Sequence, residues 1–114
     1  MIYEQTEILN KLANYLYNGT SLEYDKAYLE YKFSPEEKWY SISSWYEKNG
    51  KNFSAEESEF DFICNNSIKL CQDLHDIMLK QTGGDWRKFV LILNDEGESS
   101  TQFIYDKQSR LDNF

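Results

Sequence analysis

His75 is the only histidine in the chain and lies in the run Asp73-Leu74-His75-Asp76, whose residue types can form a general acid–base pair. The spacing works against that chemistry. On a helix, positions 73, 75 and 76 fan around the axis instead of converging, so a solvated, charged helix face is expected. The two thiols, Cys64 and Cys71, fall within one predicted helix. Two turns separate them by about 10 Å along the axis, more than the roughly 7 Å a disulfide spans. They fall on an apolar stripe, where thiols pack as small inert groups, and no second histidine is present to complete a zinc site. Asp95, Glu96 and Glu98 lack the ligand spacing of a calcium loop and are expected to form a charged turn. Gly83-Gly84 lacks the lysine of a phosphate loop and reads as a helix stop. The sequence therefore offers no set of catalytic, cofactor-binding or metal-ligating residues, and an enzyme centred on His75 ranks last among the functional classes.

What remains is a surface. The chain has 114 residues, 40% hydrophobic and 17% aromatic, enough for one compact domain over residues 1–114. A formal charge of -8 argues against direct nucleic-acid binding, which needs clustered Lys and Arg, and favours a basic partner. No apolar run is long enough to span a membrane. The start, Met1-Ile-Tyr-Glu-Gln-Thr-Glu7, has neither the basic nor the apolar region of a secretory signal, so a cytoplasmic protein is expected.

The elements that must position this surface follow from periodicity. Ile8, Leu9, Leu12, Tyr15 and Leu16 predict a helix over residues 3–18, with Gly19 as its stop. From Asp25 to Phe33 the period becomes two, with Ala27, Leu29, Tyr31 and Phe33 on one face. Ser34-Pro35-Glu36-Glu37 is the turn into a second strand over residues 38–46, which has Trp39 and Trp45 on the face opposite Tyr40, Ile42 and Tyr46. Lys48-Asn49-Gly50-Lys51 is expected to end it. Ser54 and Glu57 have the spacing of a capping box that opens a long helix, whose apolar stripe runs from Phe60 to Met78. Strands over residues 88–93 and 101–105 form a hairpin. The first is apolar on both faces and therefore central, and a polar tail follows over about 107–114. The expected fold is α+β: two helices on one face of a four-stranded antiparallel sheet, in the order α-β-β-α-β-β.

The long acidic helix leading into Trp86, then Phe89-Val-Leu91-Ile-Leu93, a turn at Gly97 and Phe103-Ile-Tyr105-Asp106, resembles the YezG-like bacterial immunity proteins. The strand pair Tyr28-Leu-Glu-Tyr-Lys-Phe33 and Trp39-Tyr-Ser-Ile42 fits the same plan, and the resemblance spans roughly residues 9–106. It implies an antitoxin, without cofactor or turnover, that binds the C-terminal domain of a cognate toxin, such as that of a contact-dependent system. A nuclease suits the acidity, because a nuclease cleft is basic. The surface expected to bind comprises Glu56, Glu57 and Glu59, the hairpin carboxylates Asp95, Glu96 and Glu98, and apolar anchors among Tyr28, Trp39 and Trp45. An adaptor or chaperone for another basic cytosolic protein would have the same composition.

Overall fold

The computed structural model describes residues 3–108, so residues 109–114 of the expected polar tail lie outside the described residues. Its elements are α1 (Tyr3–Tyr17), β1 (Lys26–Ser34), β2 (Trp39–Lys48), β3 (Lys51–Phe53), α2 (Glu57–Thr82), β4 (Lys88–Asn94) and β5 (Ser99–Ile104). The fold is α+β with two helices, as expected, but the sheet has five antiparallel strands in the spatial order β3-β2-β1-β4-β5.

The additional strand follows from Asn49-Gly50. Both residues take positive φ, 53° and 79°. This is the two-residue turn that Asn-Gly favours, whose twist matches that of the flanking strands. The chain therefore folds straight back instead of leaving the sheet, pairing Tyr46 with Phe53 and Lys48 with Lys51. The Phe53 ring stacks on Tyr46 at 5.7 Å.

Two helix boundaries also differ in cause. Gly19 has no positive φ and is not a left-handed stop. It is buried where α1 approaches α2, and an added Cβ would collide with the Ile63 side chain and stand 2.8 Å from the Tyr15 carbonyl oxygen. At the start of α2 the capping box is formed by Glu56 and Glu59, two residues after the expected Ser54 and Glu57. Ala55 is buried in the core, which holds the lead-in extended before the helix can begin. The other end of α2 stops as expected: Gly83 is left-handed and its amide donates to the Leu79 carbonyl at 3.1 Å.

Both helices cover one face of the sheet. Ala27, Leu29, Tyr31, Tyr46, Phe89, Leu91 and Leu93 point toward them and are buried with Leu12, Leu16, Ile63, Cys71 and Leu74. The Tyr46 hydroxyl donates to the Leu16 carbonyl at 3.1 Å. Among the described residues, no helix lies on the opposite face. Strand β4 is interior to the sheet, yet its Val90 and Ile92 face this uncovered side, so its two-sided apolar pattern reflects an open face and not a second helical layer. Among the described residues, no helix is long and apolar enough to cross a membrane.

The helices run antiparallel. Gln5 meets Gln81 at one end of the molecule, and Thr20 and Ser21 meet Glu59 at the other. That second end also carries the β2–β3 and β4–β5 turns. The first carries the β1–β2 turn and the α2–β4 connection.

Candidate functional site

The two acidic segments, far apart in sequence, are drawn to the same end. Glu59 binds the loop after α1, accepting from the Thr20 hydroxyl and the Ser21 amide, each at 3.2 Å. Farther along that loop, the Asp25 carboxylate accepts from the Asn49 amide at 2.8 Å, and Glu23 pairs with Lys48 at 3.7 Å. The β4–β5 turn closes over the end of α1, where Gly97 lies against the Tyr17 ring. A cleft of about 380 Å³ opens between these parts, lined by Tyr17, Leu22, Tyr24 and Asp95 among others. Burial pushes the Tyr24 phenol up, and neighbouring Tyr17 and the Asp95 carboxylate add to the effect.

The turn is built by one side chain. The Asn94 carboxamide oxygen accepts from the amides of Glu96 and Glu98 at 3.0 and 2.9 Å, and its nitrogen donates to the Glu98 carboxylate at 2.8 Å. Gly97 provides the positive φ of 84° that the reversal requires. Asp95 and Glu96 are thereby presented outward on a defined loop.

Beside this end, on the open face, the rings of Tyr28 and Trp45 stack at 5.2 Å and 9°. In register, Trp45, Tyr28, Ile92 and Ser100 form one row, directly next to the row of Glu47, Lys26 and Asn94. The Tyr28 hydroxyl donates to Glu47 at 3.1 Å, and its own ionisation is pushed up, by burial first and then by this bond. One row further in, Glu30 bridges Lys32 and Lys88, each at 3.6 Å, so one carboxylate is shared by two lysines in the middle of the face.

The expected binding residues divide accordingly. Glu56, Glu57, Asp95 and Glu96 are exposed at the acidic end, and among the described residues none of them forms an ion pair. Glu98 joins them but is tied to Asn94. Glu59 is spent internally, as capping residue and loop anchor. Tyr28 and Trp45 come together, whereas Trp39 lies at the far end and donates to Glu37 at 2.7 Å.

The largest departure concerns His75. Its side chain is only 13% exposed, wedged edge-on between Phe33 and Trp86, and Nε2 lies 2.8 Å from Asp85. The solvated face expected from its helical neighbours is replaced by a partner that follows the helix. Asp73 pairs with Lys69 at 2.6 Å, and Asp76 stands 3.8 Å from Nδ1. Asp85 also receives Arg87 at 2.6 Å, and Arg87 reaches Glu36 at 3.3 Å while its guanidinium covers the Phe33 ring. The bond with His75, then the Arg87 charge, holds the Asp85 carboxyl below its ordinary value of 3.8. A shallow cleft of about 300 Å³ adjoins His75, lined by Tyr31, Phe33, Gln72 and Asp76. Tyr31 is the hydroxyl there, and burial pushes it to about 12. The arrangement buttresses the joint between α2 and β4. Sequence could not pair His75 with Asp85, because the Gly83-Gly84 reversal sets that contact.

Cys64 and Cys71 are free and buried, and burial raises both thiols further from thiolate formation. Among the described residues, no three potential metal-ligating side chains converge. No protein-family model matches the chain, and a search of curated proteins returns no match.

Proposed function

We propose that this protein is a cytoplasmic immunity protein: a stoichiometric binder that neutralises a basic toxin domain, such as a nuclease, by covering it. The observation that carries this reading is the presence of Glu56, Glu57, Asp95 and Glu96 at one end of the molecule, near which the Trp45–Tyr28–Ile92 row lies on the sheet face that, among the described residues, no helix covers. Exposed carboxylates that form no ion pair among the described residues steer a basic partner, and half-buried aromatic rings near that end supply the apolar contact that holds it. The YezG-like pattern of strands and aromatics adds the antitoxin role to this general binding chemistry.

The test is growth of cells expressing the C-terminal domain of the adjacent gene's product, with and without this protein. Rescue of growth together with a one-to-one complex is the expected result. A harmless neighbour, or toxicity that persists with no complex formed, rejects this pairing. The same surface would then be assigned to an adaptor for another basic cytosolic protein.

A further inference from the structure

The two edges of the sheet are built differently. Strand β3 is three residues long and carries Lys51, so it is short and charged, as edges that resist pairing are. Strand β5 is twice that length and reads Ser99-Ser-Thr-Gln-Phe-Ile104, with neither charge nor proline, and Ser99 to Gln102 are exposed. Among the described residues, no strand pairs with its outer side.

The phase of the ladder shows what that edge offers. The Asn94 amide donates to the Glu98 carbonyl, and the Phe33 amide to the Arg87 carbonyl, both at 3.0 Å. With the observed registers, residues 90, 92 and 94 turn their backbone groups to 102, 100 and 98. Successive residues of an antiparallel strand alternate in the direction of their backbone groups. Ser99, Thr101 and Phe103 therefore direct N–H and C=O outward, ready to accept another strand. That strand's end would meet the turn carrying Asp95, Glu96 and Glu98.

We propose that the partner docks by adding an extended segment to the free edge of β5, with Lys or Arg at the end that lies against the acidic turn. This rests on the neutralising-binder reading and names its mode of contact. A second copy of this chain fits less well. Each copy carries -8, and the two-fold register centred on Thr101 sets Glu96 opposite the copy's Asp106, with only Asp95 opposite Lys107 to offset it.

The probe is the purified C-terminal domain encoded by the adjacent gene, titrated into the full chain. Amide exchange at Thr101 and Phe103 is expected to be fast in the free protein and slow in the complex. Thr101→Pro removes only an outward N–H, so the melting temperature should hold while affinity falls roughly tenfold. A complex in which both amides still exchange fast and Thr101→Pro binds unchanged overturns the edge-docking proposal and leaves the neutralising reading standing. Failure of the wild-type chain to bind the domain removes both. Protection of these amides in the protein alone, with that of Phe103 released by Thr101→Pro, assigns the edge to a second copy and also overturns the proposal.

Discussion

The two ends of the molecule handle charge in opposite ways. At the α2–β4 end, Asp85, Arg87, Glu36 and His75 are linked to one another in a half-buried network stacked on Phe33 and Trp86. At the other end, Glu59 and Asp25 are used to fasten loops, but Glu56, Glu57, Asp95 and Glu96 extend into solvent and, among the described residues, form no ion pair. Charges consumed internally define the fold, and charges left over define what can approach it. Polarity alone does not separate the two classes. The partners do.

Perturbing the first end should therefore change stability, and perturbing the second should change association. The largest stability loss is expected for Trp86→Ala. Its ring is fully buried and touches Tyr31, Phe33, His75, Phe89 and Phe103, so about 3–5 kcal/mol should be lost in denaturant unfolding. Next, Gly19→Ala forces a methyl group into Ile63 and should cost about 1–3 kcal/mol, read from the same unfolding curves. Arg87→Ala strips a cation from Asp85 and Glu36 and uncovers Phe33, for about 1–2 kcal/mol.

A smaller, pH-dependent effect belongs to Asp85. Its folded value is depressed, so its contribution is present above 3.8 and is lost as pH falls through the lower folded value. Asp85→Asn should melt below the wild type at pH 7, with the gap closing in strong acid. A gap that stays constant with pH would mean that the carboxylate charge is not what joins α2 to β4. The smallest stability change is expected at the acidic end, where Asp95→Lys with Glu96→Lys should lie within about 0.5 kcal/mol of wild type.

Much of this division could be read from periodicity. The inward residues Ala27, Leu29, Tyr31 and Phe33, the α2 stripe and the Gly83 stop are set by local patterns that the tertiary structure preserves. Asn49-Gly50 was also readable, since that pair turns a chain within two residues, and passing over it hides β3. The capping box moved because Ala55 had to be buried, which is a demand of the core. Glu59 and Glu57 look equivalent in sequence, and only the return of Thr20 and Ser21 makes one an anchor and leaves the other exposed. His75 likewise depends on a contact across a glycine reversal, which helical spacing cannot register.

The exposed carboxylates Glu56, Glu57, Asp95 and Glu96 are expected to receive a basic partner. The most direct measurement is the association rate with the adjacent gene's C-terminal domain across a range of salt, for the wild type and for the Asp95→Lys, Glu96→Lys variant. The wild-type rate is expected to fall steeply with salt, and the variant to associate more slowly with a flatter dependence. Equal rates and equal salt slopes for the two proteins would contradict it.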